Sequence, residues 1–153
     1  MAKLAAGEVQ ATFLAAAGLQ RLGETGAGHP LDAHDWLPAP AQAAIGIECR
    51  AGDRATQDLM AAIDHAPSRA VVMAERALLA ALGGSCHSPV AVLCDLADGQ
   101  LSMRAALFSP DGAETVTGMA HFLPGDARGP AGLAADLLAR ASVGIAAHFT
   151  AAP

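Results

Sequence analysis

Hydrophobic residues change their spacing along this chain near residue 54, and the change divides it into two predicted parts. Before that point, two short apolar runs occupy residues 9–17 and 43–49. Periodicity does not decide whether the first run is a strand or a piece of helix, whereas the second has the pattern of a strand. The segment between them, residues 23–40, is rich in Gly, Pro, Asp and His and is predicted to be a loop.

After residue 54 the pattern predicts helices and a run of strands. Helices are predicted over residues 56–63, 68–82 and 127–141, where apolar side chains recur at helical spacing. Strands are predicted over residues 90–96, 101–108 and 115–122. Asp98-Gly99 and Pro110-Asp111-Gly112 are tight-turn signals between those strands, so the three are expected to form an antiparallel meander.

The predicted fold class is α+β. Residues 54–153 are expected to form one domain, a three-stranded antiparallel sheet with helices on one face. Residues 1–53 contain two apolar runs and no helix long enough to cover them, although buried strands are normally paired and covered. We therefore interpret residues 1–53 as the remnant of a preceding α/β domain.

Composition and charge exclude several classes of function. The formal net charge of −6 and the aromatic content of 3% argue against a nucleic-acid partner, which needs clustered basic residues and stacking side chains. No apolar stretch reaches the roughly 18–20 residues of a membrane span, so no membrane partner is expected. Three widely spaced cysteines do not suggest a disulfide framework, which favours the reducing cytoplasm. None of the six histidines has metal-ligand spacing, so no metal is expected.

One cysteine, Cys86, lies in a loop of small residues between the second predicted helix and the first strand of the meander. Gly83 and Gly84 supply the conformations that end a helix, and the backbone of such loops is exposed. The position therefore suits the attachment of a ligand. By spacing alone, a lone cysteine is more often an inert apolar residue, and that interpretation is kept for Cys49 and Cys94, which lie in apolar runs.

Several stretches together resemble hydroxymethylbilane synthase, also called porphobilinogen deaminase, an enzyme family of tetrapyrrole biosynthesis. They are AAAGLQRLG at residues 15–23, LPAPAQAAIGIECR at 37–50, HAPSR at 65–69 leading into AERA at 74–77, and GGSCHSP at 83–89. Their order and spacing fit the family throughout. The resemblance covers nearly the whole chain, but only the C-terminal half of such an enzyme.

The resemblance implies that Cys86 holds a dipyrromethane cofactor through a thioether bond, onto which porphobilinogen is polymerised through oligopyrrole intermediates. A thiolate is a soft nucleophile, which suits this chemistry. Arg21 matches an arginine that helps to bind the acetate and propionate groups of the pyrroles, since a guanidinium pairs well with carboxylates. Its alternative interpretation is a solvated surface arginine.

The same resemblance places Gln42, Ala43 and Ala44 beside the cofactor. Here the chain departs from the family pattern, which usually has glycine at the positions of Ala41 and Ala43. The added methyl groups matter if the backbone must adopt positive φ or approach a ligand closely.

The chain has few basic residues for the carboxylate-rich substrate that the resemblance implies. A growing oligopyrrole carries two carboxylates per ring, yet the chain has nine basic residues against fifteen acidic ones. The family places its catalytic aspartate and most of its arginines in a domain that is not matched here. We therefore expect no catalytic residue in this chain, no activity from it alone, and the missing N-terminal half as a partner. The alternative is a non-catalytic binding module derived from the C-terminal domain of the synthase.

Overall fold

A computed structural model describes residues 2–149 of the chain, which clusters into two units, Met1–Asp32 and Ala33–Pro153. Met1 and residues 150–153, which belong to the two predicted domains, lie outside the described residues. Among residues 2–149, no helix is both long and apolar enough to cross a membrane.

The first unit contains two short helices, α1 (Ala2–Ala5) and α2 (Ala16–Leu22). The apolar run at residues 9–17 enters α2 only at its end, and residues 9–15 are neither helix nor strand. Gly23 ends α2 in the left-handed conformation, with φ of 72°. No residue between 2 and 32 is buried, so the described part of this unit forms no apolar core of its own.

The second unit confirms the predicted sheet and its helices. Its elements, in chain order, are α3 (Arg54–Ala61), α4 (Ala66–Ala81), β1 (Val90–Ala97), β2 (Gln100–Phe108), β3 (Thr115–Phe122), α5 (Arg128–Arg140) and α6 (Val143–Ala146). The strands form a three-stranded antiparallel sheet in the order β1-β2-β3. The helix α6 was not predicted, since its four residues are too few for a periodic pattern.

The turn between β1 and β2 has the geometry that its sequence predicts. Ala97 pairs with Gln100, which leaves Asp98 and Gly99 as a two-residue loop. Both have positive φ, 51° and 75°, as a type I′ hairpin turn requires. This turn fixes the register of the first hairpin, and with it the face on which each strand residue lies.

The helices cover one face of the sheet. Helix α4 packs against β1, α5 packs against β3, and the two helices pack against each other. The side chains that are almost completely enclosed between these layers are Leu78, Leu82, Val92, Leu101, Met103, Leu107, Pro130, Leu137 and Ile145. Each large apolar side chain stabilises the fold by roughly 1.5–3 kcal/mol, so this layer anchors the loops at both ends of α4.

The strand predicted over residues 43–49 was wrong. Ala41 and Ala43, just before this run and at its first residue, adopt left-handed φ values of 56° and 62°, which a β-strand does not accommodate. The residues before them lie along β1 instead, where the Pro38 carbonyl accepts a hydrogen bond from the Val92 N–H at 2.8 Å. Residues 44–50 are neither helix nor strand and have no ladder partner among residues 2–149.

Candidate functional site

The loop that carries Cys86 begins at a well-defined helix end. Gly83 has φ of 63°, and its N–H donates to the Ala80 carbonyl at 2.9 Å. The Gly84 N–H donates to the Leu79 carbonyl, also at 2.9 Å. This pair of bonds satisfies the last carbonyls of α4 and turns the chain sharply away from the helix axis.

Two serines fix the backbone on either side of Cys86. The Ser88 hydroxyl accepts a hydrogen bond from the Ser85 N–H at 2.9 Å, and the Ser85 carbonyl accepts one from the Ser88 N–H at 3.1 Å. The Ser85 hydroxyl also accepts from the His87 N–H at 3.2 Å. Cys86 and His87 therefore form the tip of a closed turn, and both are exposed.

The ends of this turn are anchored in the core. Leu82 precedes it with no exposed surface, and Val90 follows it at 9% exposure. Gly84 leaves no room for a side chain, since an added Cβ would lie 2.6 Å from the Leu79 Cδ1 atom and 3.3 Å from the Leu79 carbonyl oxygen. An exposed thiol is thus held on a short, closely packed loop.

The other two cysteines have different surroundings. Cys94 is buried on the core side of β1, and burial raises the pKa of its thiol to about 12, with smaller contributions from the charges of Glu75 and Asp95. Cys49 is half-buried in residues 44–50, which are neither helix nor strand. Only Cys86 among the three is exposed, so it is the thiol that a reagent or ligand reaches most easily.

The predicted contact segment Gln42, Ala43 and Ala44 is an exposed turn. The Gln42 N–H donates to the Ala39 carbonyl at 3.2 Å, and the Ala44 N–H donates to the Ala41 carbonyl at 3.3 Å. The positions where glycine was expected are the ones with left-handed φ. Alanine pays a steric cost in that conformation that glycine does not.

Arg21 lies in the first unit, whereas Cys86 and residues 42–44 lie in the second. It occupies the last turn of α2, where it is exposed. A cation in that position interacts favourably with the helix carbonyls, and its exposed guanidinium remains accessible to an anion. Among the described residues, no three or more His, Cys, Asp or Glu side chains are grouped as metal ligands.

One buried acid, Glu75, was not predicted as a site residue. It lies on the core side of α4 at 6% exposure and accepts hydrogen bonds from the N–H groups of Ala41 and Cys94. Burial raises the pKa of this carboxyl, and the two hydrogen bonds oppose the rise. The sequence held a signal for it, because Glu75 is spaced three residues before Leu78 and seven before Leu82, on the apolar face of the helix.

Comparison with known families gives these loops a context. The C-terminal domain of porphobilinogen deaminase matches residues 70–128, and the domain of that enzyme described as binding the dipyrromethane cofactor matches residues 1–58. The two matches together include Cys86, Arg21 and residues 42–44. The chain belongs to the porphobilinogen deaminase family. Its relatives are therefore transferases that use porphobilinogen and a dipyrromethane cofactor.

Three porphobilinogen deaminases illustrate the similarity. The protein from Sphingopyxis alaskensis is 54% identical over 150 residues, which span 97% of this chain and 47% of the relative. The one from Moorella thermoacetica is 45% identical, over 92% of this chain and 45% of its own length. The one from Coxiella burnetii is 45% identical, over 73% and 37% respectively. The chain thus spans about half the length, or less, of the curated porphobilinogen deaminases it matches.

Proposed function

We propose that this chain is the cofactor-carrying portion of a hydroxymethylbilane synthase, which polymerises porphobilinogen on a dipyrromethane attached through a thioether to Cys86. The observation that carries the proposal is the exposed thiol of Cys86 on a serine-braced turn, inside the segment that matches the family. In this proposal residues 54–153 form the cofactor-carrying domain, and residues 1–53 are the end of the preceding domains.

The residues around Cys86 fit a covalent attachment. When the first pyrrole is attached, the C–N bond of an aminomethyl group breaks, ammonia leaves, and the Cys86 sulfur supplies the electron pair of the new C–S bond. The thiol proton leaves with the ammonia, so the step requires no oxidant. Gly84 lets the chain turn closely against Leu79, and the Ser85 and Ser88 bonds hold the turn in place. Once bound, the dipyrromethane offers the free pyrrole end to which substrate units add.

Recognition of the pyrrole carboxylates is assigned to Arg21, and contact with the cofactor to Gln42, Ala43 and Ala44. A guanidinium offers bidentate donors and keeps its charge at all physiological pH values. The exposed turn at residues 42–44 offers the Gln42 side-chain amide as a donor, since the Gln42 and Ala44 N–H groups already donate to the Ala39 and Ala41 carbonyls. Arg21 and residues 42–44 are given these roles because they match the motifs of the family.

Turnover requires groups that we do not assign to this chain. No aspartate here matches the catalytic aspartate of the family, and the basic residues are outnumbered by acids, nine to fifteen. We therefore propose a cytoplasmic assembly in which an N-terminal half completes the active site. The chain alone is expected to form no hydroxymethylbilane from porphobilinogen, and appreciable turnover by the purified chain would contradict this.

Intact-mass measurement tests the attachment. The chain is incubated with porphobilinogen and a complete porphobilinogen deaminase, then separated and weighed. A mass increase of two pyrrole units that survives denaturation, and that disappears in Cys86→Ser, is expected. Cys49→Ser serves as the matched control and should retain the increase. An unmodified parent chain, or an adduct that persists in Cys86→Ser, would refute the assignment.

A non-catalytic binding module is the second candidate. Ile45 and Ile47 are 84% and 57% exposed in a segment that is neither helix nor strand and has no ladder partner among the described residues. Such a segment offers both apolar side chains and free backbone groups to another chain. If Cys86 stays unmodified while the chain forms a complex with the N-terminal half of a porphobilinogen deaminase in sedimentation experiments, this second function replaces the first.

A further inference from the structure

Glu75 is a carboxylate placed where a fold normally places apolar side chains. It lies on the same side of α4 as Ala74 and Leu78 and is 6% exposed. Arg69 pairs with Asp64 and Arg140 with Asp136, and within residues 2–149 no basic side chain forms an ion pair with Glu75. A buried acid without a counter-ion must be stabilised by hydrogen bonds.

Both oxygens of Glu75 are used, each by a different segment. Oε2 accepts from the Ala41 N–H at 2.7 Å, and Oε1 accepts from the Cys94 N–H at 3.1 Å. The donors lie 34 and 19 residues away along the chain. One carboxylate therefore joins α4, the strand β1 and the turn that contains Gln42.

The hydrogen bond from the Cys94 N–H to Glu75 lies at the free edge of the sheet. Strand β1 is an edge strand, and its outward N–H groups at Val92 and Cys94 have no strand to accept them. The Pro38 carbonyl accepts the first, and Glu75 accepts the second. Residues 38–41 are thereby fixed along the edge, which also protects it from pairing with another chain.

The bond to Ala41 acts on a strained turn. Ala41 and Ala43 both have left-handed φ, which is disfavoured for alanine because its Cβ crowds the following carbonyl oxygen. Such a conformation persists only where surrounding contacts impose it. The bond from the Ala41 N–H to Glu75 is the shortest contact that holds this turn, and Gln42, Ala43 and Ala44 follow directly.

We propose that Glu75 is a positioning residue, which fixes the backbone of residues 41–44 so that this turn can contact the pyrrole cofactor. The cofactor part rests on the proposed function, whereas the role of Glu75 in holding the turn does not. The nearby Asp95 carboxylate raises the pKa of Glu75 further, so the hydrogen bonds from Ala41 and Cys94 are what favour its ionised form.

Amide hydrogen exchange in Glu75→Gln tests the positioning. Glutamine has one oxygen acceptor and one NH₂ donor, so only one of the two N–H groups keeps its partner. We expect the amide of Ala41 or Cys94 to exchange about tenfold faster or more, since a hydrogen bond to a charged group is worth this much. Both should accelerate in Glu75→Ala. The Ile145 amide, which donates to the Ser142 carbonyl, is the internal reference and should not change.

Glu48→Gln is the matched control, because it removes the same charge from an exposed residue close to the turn. Unchanged exchange of Ala41 and Cys94 in Glu75→Gln would overturn the proposal, and Glu75→Gln keeps the test valid if Glu75→Ala does not fold. The attachment of two pyrrole units to Cys86 is then followed by mass, with a severalfold slower rate expected for Glu75→Gln than for Glu48→Gln.

The two parts fail differently. If exchange accelerates but attachment to Cys86 is unaffected, the turn is held by Glu75 for a reason other than the cofactor, and that part is wrong. If the parent chain forms no adduct at all, the proposed function is wrong, and so is the proposal that the turn contacts the cofactor. The exchange data still decide whether Glu75 holds the turn.

Discussion

Replacing Ala43 with glycine tests whether the turn beside the candidate site stores conformational strain. Ala43 has φ of 62°, is exposed, and follows a second left-handed alanine, Ala41. Because the Ala43 side chain is exposed, its loss removes little packing. The substitution therefore isolates the backbone effect. We expect Ala43→Gly to make the chain more stable, which is the opposite of what alanine-to-glycine changes normally do.

The magnitude follows from two opposing terms. Relief of the left-handed conformation contributes roughly 1–2 kcal/mol. The greater freedom of glycine in the unfolded chain costs about 0.4–1 kcal/mol. The net gain is about 0.5–1 kcal/mol, which corresponds to a rise of about 2–4 °C in Tm at most for a chain of this size. Ala41→Gly should behave in the same way.

Urea unfolding followed by tryptophan fluorescence measures this gain. Trp36, the single tryptophan of the chain, lies in the same unit as the turn. The midpoint should rise with an unchanged slope. Ala139→Gly, at an exposed position of α5, is the control and should lose about 1 kcal/mol. If Ala43→Gly loses as much stability as Ala139→Gly, the turn is not strained and the reasoning fails.

Three further predictions concern the loop and the buried groups. Gly84→Ala should lower the free energy of unfolding by about 1–3 kcal/mol, because the added methyl group crowds the end of α4. Gly132→Ala, with open space around it in α5, should be neutral or stabilising. Equal effects of the two substitutions in urea unfolding would contradict this. In the native chain, iodoacetamide should modify Cys86 readily and Cys94 only after unfolding, as peptide mass mapping would show; early labelling of Cys94 would be contrary to its burial. Because burial raises the pKa of Glu75, the folded chain binds that proton more tightly than the unfolded chain, so stability should fall as pH rises from the ordinary carboxyl pKa through the raised one. Glu75→Gln should flatten this part of the pH profile, and an unaltered profile would exclude Glu75 as its source.

The sheet and its helices could be predicted from the sequence because their signals are local. Short apolar runs, the Asp98-Gly99 turn and helical spacing each depend on neighbours within a few positions, and the structure confirms the three strands and the helices that cover them. Cys86 was recognised as a loop residue for the same reason. Its exposure follows from Gly83 and Gly84, which end α4 at the place their sequence suggests.

The error at residues 43–49 has a non-local cause. These residues are apolar and suited to a strand, but a strand also needs a partner, and among residues 2–149 none pairs with this segment. The free edge of β1 is occupied by residues 38–41, through Pro38 and Glu75. Periodicity carries no information about which edge is already covered, so the pattern alone predicted a strand that does not form.

The presence of Glu75 on an apolar helix face connects these observations. When a helix covers an edge strand, the N–H groups on the unpaired side of that strand lie close to the helix. Each such N–H group that is buried requires a hydrogen-bond acceptor. An acid at a core position of the covering helix satisfies the requirement, and its second oxygen remains available for another donor. Here that donor is Ala41, so the same carboxylate that closes the sheet edge also sets the left-handed turn. The conformation of residues 41–44 therefore depends on Glu75 of α4, which ties the placement of this turn to the folding of the helix and strand on either side of the Cys86 loop.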